Sequence, residues 1–245
     1  MRFFYFLNSL LFKNNFSTLQ HSIIKNKTMK KLIFILLASF SLVSVAQEKL
    51  DEGVVNSKMK MTTDNEMMKS QFEALGETEI ITYFKDDKVR VETDSPMSGV
   101  SVTVIDKDKK KVLTLQNIPM VGKKYSLEDY EEPKEVDENI KVTKGNVTKT
   151  ILGYDCQQYT VVMKNEGVNM EMEVFTTEQI DAETQQTSQL GNQVKGFPLL
   201  MIINFNQQGI DMTMTYEVTG VKKEKVSDDM FDLTVPEGYS KMGDQ

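Results

Sequence analysis

Methionine recurs at alternating positions in three stretches of the chain. The pairs occur in "SKMKMTT", "VNMEMEVF" and "IDMTMTYEV", as Met59 and Met61, Met170 and Met172, and Met212 and Met214. In a β-strand, residues two apart point to the same face of the sheet and lie about 7 Å apart. Each pair therefore places two thioethers on one face, with Lys, Glu, Asn or Thr on the other face.

Three interpretations of these pairs stay open. Methionine can simply fill an ordinary core, because buried alternation alone accounts for the spacing. It can line an apolar groove for a lipid-like ligand, since thioether side chains are soft and adapt to irregular shapes. It can also bind Cu(I), for which thioethers are suitable ligands, although no His or Cys lies beside any pair.

Residue types exclude most hydrolytic mechanisms. His21 is the only histidine and lies in a segment that we expect the mature protein to lack, and Cys156 is the only cysteine. Without histidine, neither a Ser-His-Asp nor a Cys-His arrangement can form, and a histidine-type zinc site is excluded too. The sequence therefore predicts a protein that is not an enzyme, with no catalytic residue, metal ligand or cofactor assigned.

Two further features could carry chemistry. Glu171 and Glu173 share a strand face at a separation near that of an inverting glycosidase pair, but such alternation is typical of a solvent-facing strand surface. Cys156 has no histidine and little positive charge near it in the sequence, which favours a partly buried, unreactive thiol.

Residues 29–46 have the pattern of a signal peptide. Lys30 and Lys31 precede an apolar run, and small residues at 44 and 46 predict cleavage before Gln47. Residues 1–28 lie upstream of this complete signal, and we interpret them as an extension from a start codon assigned too early; the alternative is a real extension that lengthens the targeting segment. The expected location is the periplasm, with the extracellular space as the alternative, and no membrane-spanning segment is expected after cleavage.

The remaining chain, 47–245, is predicted to form a single domain. It carries 23 basic and 36 acidic side chains, a net charge of −13, because residues 1–46 hold six basic side chains and no acidic ones. So negative a protein is not expected to bind nucleic acid, whose phosphates need a cationic surface. It is not expected to dock on an anionic membrane face either.

Strand patterns dominate this domain. Two hairpins are predicted, one about Asp86-Asp87 and one about a charged turn at 106–111. One helix is predicted over 64–75, from a capping box between Thr63 and Glu66 to a stop at Gly76. An acidic stretch at 128–139 is expected to be a solvated connector.

Several short motifs resemble a known family when taken together. They are "ITYFKDDKVRVE", "KTILGYDCQQYTV" leading to "EVFTTEQI", "GFPLLM" and the terminal "FDLTVPEGY". Over about residues 52–242 the chain resembles the exported flavobacterial proteins grouped as domain of unknown function 4412. The resemblance implies an architecture like that of the lipoprotein carriers LolA and LolB, an antiparallel sheet curled into a half-open barrel. One to three helices would lie on its concave side.

These observations define the expected function. The leading hypothesis is a non-enzymatic, exported module that binds a hydrophobic or lipid-like ligand against its concave face. The alternative is an envelope interaction or structural protein with a fully packed core, and Cu(I) binding is a remote alternative. The candidate ligand-lining residues are Met59, Met61, Met68, Phe72, Met170, Met172, Met212 and Met214.

Overall fold

A computed structural model describes residues 49–243 except 133–138, 166–167, 185 and 208. The predicted upstream extension and signal peptide lie outside the described residues, and so does much of the acidic connector. The described residues include both predicted hairpins and the predicted helix.

The described residues are mainly β, with one α-helix and a single large, open sheet. All strand pairs are antiparallel except the pair formed by the short last strand, which runs parallel to β6. Because the two end strands of the sheet do not pair with each other, the sheet is not closed into a barrel. The order of strands across the sheet is β12-β6-β5-β4-β3-β2-β1-β11-β10-β9-β8-β7.

The strand bounds follow the alternating pattern of the sequence. They are Glu52–Thr63 (β1), Thr78–Lys85 (β2), Lys88–Ser95 (β3), Gly99–Asp106 (β4), Lys111–Ile118 (β5), Gly122–Asp129 (β6), Ile140–Ile151 (β7), Tyr154–Asn165 (β8), Val168–Thr177 (β9), Phe197–Gln207 (β10), Ile210–Lys222 (β11) and Ser240–Lys241 (β12). Short 3-10 helices span Ser188–Gln193 and Asp228–Phe231.

Both predicted hairpin turns are confirmed. Asp86 and Asp87 join β2 to β3, and residues 107–110 join β4 to β5. Asp86 has φ of 50° and Lys110 has φ of 53°, which is the left-handed conformation that tight hairpin turns require. The charged residues of these turns thus lie between the paired strands and outside the strand ladders.

The helix, α1, spans Glu66–Leu75 and ends at Gly76 as predicted, but the predicted capping box is wrong. Asn65 is the N-cap, and its side-chain oxygen accepts a hydrogen bond of 3.2 Å from the Met68 N–H. Thr63 remains in β1, where it pairs with Met212, and its hydroxyl donates to the carbonyl of Asp211 at 2.6 Å. Strand pairing therefore removes Thr63 from the role that the local pattern predicts.

The two faces of the sheet are apolar in different places. On one face, called the concave face here after the expectation from the sequence, β1 to β3 and β8 to β11 form the main core cluster, which includes Val55, Phe84 and Val174. On the opposite, outer face, β4 and β5 form a second cluster around Val104 and Leu113. Each apolar area needs its own cover, and two irregular segments supply it.

Residues 178–196 cover one end of the concave face. Ile180 forms a parallel bridge with Leu50, and Ile180, Leu190 and Val194 are all buried in the main core cluster. Residues 223–239 cover the outer face, where Val226 and Phe231 are buried in the second cluster. The N–H of Val226 donates to a carboxylate oxygen of Glu52 at 2.9 Å, which fixes the start of this C-terminal segment.

A buried aspartate organises the turn between β4 and β5, and its loss should destabilise the domain. Asp106 is fully buried; one of its oxygens accepts the Lys109 N–H at 2.9 Å and the other lies 3.1 Å from the Lys109 ammonium. Asp106→Ala should lower the free energy of unfolding by about 1–3 kcal/mol, because the bonded partners lose an ionised acceptor. Asp106→Asn, which keeps one acceptor, should lose less in the same denaturant titration.

The same group sets a pH dependence. Burial alone would raise the pKa of Asp106, but the Lys109 N–H and ammonium outweigh burial, so that the pKa is lowered overall. A carboxylate whose pKa is lower in the folded state contributes stability above its unfolded-state pKa and loses it as the pH falls through the folded value. Wild-type protein should therefore lose this contribution below about pH 4. An Asp106→Asn protein whose acid sensitivity equals that of the wild type would contradict this assignment.

Candidate functional site

The three methionine pairs come together in one region of the concave face. Met61 is the cross-strand partner of Met214, Met214 of Ile203, and Ile203 of Met172. Two residues further along each of these strands, Met212 is the partner of Phe205, and Phe205 is the partner of Met170. Strands distant in sequence thus place all three pairs on one side of the sheet, as the alternation predicts.

The face assignment is confirmed by the exposure of the neighbouring residues. Lys58 and Lys60, which flank Met59, are exposed, and so is Glu171, which lies between Met170 and Met172. Met172 and Met212 are buried, being 9% and 5% exposed. The polar members of these strands therefore face outward and the thioethers face the concave side.

Packing on the concave face is complete at one end and incomplete at the other. Toward residues 178–196, core side chains such as Val174 and Leu199 are fully buried. Toward α1, Met59, Met61 and Met214 are only half-buried, although they belong to the same face. The end of the concave face beneath α1 is thus the part where apolar side chains lack complete cover.

Helix α1 lies against this end without burying any of its own residues. Met68 and Phe72 are half-buried and Leu75 is 36% exposed, whereas Met67, whose side chain points away from this side of the helix, is 76% exposed. The helix follows β1 directly, and the side that carries Phe72 faces the half-buried methionines of the sheet. A helix held by so little buried surface is a weakly fixed cover, because buried apolar area provides most of the stability of a docked helix.

A cavity of about 300 Å³ lies between α1, the ends of β1 and β11, and the turn after β3. Its charged lining is limited, among the described residues, to Lys60. No carboxylate, histidine or cysteine is among these lining residues, so the surface is dominated by thioether, aliphatic and aromatic groups. The lining comprises Met59, Lys60, Met61, Phe72, Leu75, Gly76, Thr78, Ser95, Pro96, Met97, Ser98 and Met214.

Met97 is a lining residue that sequence reasoning missed. It lies in the turn between β3 and β4, outside any alternating pattern, and its side chain is 65% exposed. The turn is held in place because the Ser98 N–H donates to the hydroxyl of Ser95 at 3.3 Å. Gly99 follows with φ of 80°, and a β-carbon there would lie 2.3 Å from the Asn117 carbonyl oxygen, so the turn packs closely on β5. No local sequence signal marks this residue as part of the cavity.

The eight candidates from the sequence separate into four groups. Met59, Met61, Phe72 and Met214 line the cavity under α1. Met172 is buried in the core, and Met170 and Met212 border a different, more polar hollow of about 460 Å³ near Glu171, Asn204 and Asp211. Met68 is half-buried on α1 but is not among the residues that line either space.

A larger hollow, of about 670 Å³, lies beside residues 178–196 and is polar. Two of its lining residues form an ion pair, in which the Lys107 ammonium lies 2.7 Å from a carboxylate oxygen of Glu183. The Tyr130 hydroxyl donates to the other oxygen of Glu183 at 2.9 Å, and burial together with this carboxylate raises the pKa of Tyr130. The ion pair and the tyrosine hydrogen bond both join Glu183 to other parts of the fold, so the arrangement anchors residues 178–196.

Cys156 is buried, whereas Glu171 and Glu173 lie on the face of the sheet opposite the methionines. Cys156 is 1% exposed, and burial raises the pKa of its thiol to about 11, which leaves it un-ionised near neutral pH. Glu173 is hydrogen-bonded by the side chain of Gln158 on the outward face, beside the exposed Glu171. Within the described ranges, no group of three His, Cys, Asp or Glu side chains could hold a metal ion.

The comparisons with known proteins identify the family. The family model described as "Domain of unknown function (DUF4412)" matches residues 52–239. The chain belongs to the DUF4412 family. No curated protein is significantly similar to it. The match includes every residue that lines the cavity under α1, so the cavity lies within the DUF4412 domain.

The family assignment confirms the resemblance noted in the sequence but does not extend it to LolA and LolB. The DUF4412 domain has an open antiparallel sheet with one α-helix, and its likeness to the lipoprotein carriers is not confirmed. Among the described residues of the DUF4412 domain, no helix combines the length and apolar character needed to cross a membrane.

Proposed function

We propose that this DUF4412 protein is an exported, non-enzymatic module that binds an apolar, lipid-like ligand in the cavity under α1. The observation that carries the proposal is the cavity itself, in which half-buried methionines lie beneath a helix that buries none of its residues. A fully packed core would have covered these side chains, as it does at the other end of the same face. Export rests on the signal-peptide pattern of residues 29–46.

The size and lining of the cavity favour a single short acyl chain. About 300 Å³ is at the lower end of the range for ligand pockets, which are mostly apolar with a few polar groups that orient the ligand. Methionine side chains can shift to fit ligands of different shape, because they are unbranched and polarizable. The Lys60 side chain alternates with those of Met59 and Met61 and therefore lies on the exposed, opposite side of β1, so it does not place a charge among the apolar groups.

Helix α1 would act as the cover over the bound chain. The helix has capping contacts at both ends, with the Asn65 side chain at its start and a Gly76 N–H bond to the Phe72 carbonyl at its end. It is therefore formed as a unit, while its packing on the sheet is limited to half-buried side chains. A short outward movement of such a helix would open the apolar surface to a ligand without breaking the sheet.

Introducing a charge into the cavity should abolish binding. Met61→Glu places a carboxylate among the thioethers, and we expect the affinity for dodecanoate to fall at least tenfold, which corresponds to about 1.4 kcal/mol. Isothermal titration calorimetry of the full chain, purified without detergent, measures this directly. Because Met61 is only half-buried, the variant should stay folded, and circular dichroism checks this.

The matched control is Met67→Glu, which introduces the same charge on the exposed side of the same region. It should leave dodecanoate affinity within about twofold of the wild type. If wild-type protein does not bind dodecanoate, or if both variants lose affinity equally, the cavity is not the ligand site and the proposal fails.

A second function, contact with another envelope protein, is supported by one observation. Met120 and Val121, in the turn between β5 and β6, are fully exposed and 60% exposed, although both are apolar. Such side chains at a loop tip are typical of contact surfaces when they are grouped. This function would remain if the cavity did not bind a ligand.

A further inference from the structure

We infer that the cavity under α1 also contains a binding site for a soft monovalent cation, Cu(I), formed by Met61, Met214, Met59 and Met97. Four of the described residues lining this cavity of about 300 Å³ are methionines, and they come from three separate parts of the fold. The inference does not depend on the binding of an apolar ligand.

Strand register brings the first two sulfur atoms together. Met61 and Met214 are direct cross-strand partners on the same face, so their β-carbons are about 4.5–5.5 Å apart. Side chains as long and flexible as methionine can therefore direct both sulfur atoms to one point. Met59 lies two residues from Met61 on the same face, about 7 Å along the strand, which is also within reach of that point.

Met97 supplies a donor from the other side of the cavity. It belongs to the turn after β3, whereas the other three methionines belong to the sheet, so the four surround the space from different directions. Its side chain is 65% exposed and is thus free to change its conformation when an ion enters. Three or four thioethers around one space match the preference of Cu(I) for soft ligands.

The rest of the lining contains few competing donors. None of the described lining residues is an Asp, Glu, His or Cys, so the carboxylate and imidazole ligands that harder divalent ions prefer are not among them. Lys60 is the one charged neighbour, and because it alternates with Met59 and Met61 its side chain is on the exposed, opposite side of β1. The strongly negative charge of the mature chain favours the approach of a cation.

Substituting leucine for methionine separates this site from apolar ligand binding. Met61→Leu/Met214→Leu conserves apolar volume but removes both sulfur atoms, and such swaps usually cost little stability. The probe is Ag(I), which shares the soft-ligand preference of Cu(I), added to the full chain in chloride-free buffer and measured by calorimetry and native mass spectrometry. We expect one Ag(I) bound by the wild type, and at least a tenfold weaker affinity in the double variant.

The matched control is Met170→Leu/Met172→Leu, which removes another methionine pair of the same face outside this cavity. It should bind Ag(I) as the wild type does. Failure of the wild type to bind Ag(I), equal affinity in the Met61→Leu/Met214→Leu variant, or equal loss in the control would each overturn the inference. Dodecanoate binding by the same variants tests the proposed function separately, because leucine keeps the cavity apolar.

Discussion

Replacing Met172 with Asp is expected to destabilise the domain more than any other substitution proposed for the sheet. Met172 is 9% exposed and lies between Ile203 and Val161 in the ladder across the concave face. A carboxylate there would have no cationic partner in the ladder, so it must either be buried unpaired or take up a proton. We expect a loss of about 4 kcal/mol or more, a large part of the roughly 5–15 kcal/mol that stabilises a typical domain.

The control for this prediction is the opposite change, from a charged to an apolar side chain, at the adjacent position on the exposed face. Glu171 is exposed, and Glu171→Met should change the free energy of unfolding by less than about 0.5 kcal/mol. Urea titration followed by circular dichroism compares both variants with the wild type. If Met172→Asp were as stable as Glu171→Met, the strand would present the opposite face to the core.

Replacing Phe231 with Ala is expected to destabilise the domain by about 3–5 kcal/mol, the usual loss for a buried phenylalanine. Phe231 is 2% exposed and lies in the C-terminal segment that covers the outer face of β4 and β5. The guanidinium of Arg90 donates to the Met230 carbonyl at 3.3 Å, so the segment is fixed beside this side chain and cannot move in to fill the space.

The neighbouring Asp229 provides the control for this second prediction. It belongs to the same 3-10 helix, Asp228–Phe231, but its side chain is exposed. Asp229→Ala should shift the midpoint of a thermal or urea transition only slightly. An equal and small effect of both substitutions would mean that the C-terminal segment is not required to bury the second apolar cluster.

Alternation in the sequence was sufficient to predict the strands and the sharing of faces. Met59 and Met61 share a face, and so do Met170 and Met172, because side chains in a strand alternate with period two. The hairpin turn at Asp86 was predictable because its charged pair interrupts two apolar alternations. Such features depend on residues near in sequence, and local patterns determine them.

Alternation does not state which side of the sheet is covered. Val104 and Leu113 have the sequence pattern of ordinary strand residues, which does not show on which face they are buried. In the structure they face the outer side of the sheet, beneath residues 223–239. The side on which they are buried depends on where a distant C-terminal segment packs. The same limit applies to Thr63, which is drawn into pairing with β11 and does not cap α1.

The cavity itself depends on contacts that sequence patterns do not contain. Met59 and Met61 were recognised as a pair, but the pairing of Met61 with Met214 follows from strand order. Met97 lies in a turn, where there is no period to detect, and its place in the cavity follows from the packing of that turn against β5. Four of the eight candidates from the sequence therefore lie along this cavity, but sequence patterns do not define the boundary of the cavity.

The most direct test of ligand binding under α1 uses the methionines as probes. In protein with carbon-13 in the methionine methyl groups, each methionine gives its own nuclear magnetic resonance signal, which single Met→Leu variants assign. On titration with dodecanoate, we predict that the signals of Met59, Met61, Met97 and Met214 shift together and saturate, while those of the buried Met172 and Met212 remain nearly unchanged. The account would be contradicted if no signal shifted, or if the shifts were confined to Met170 and Met212.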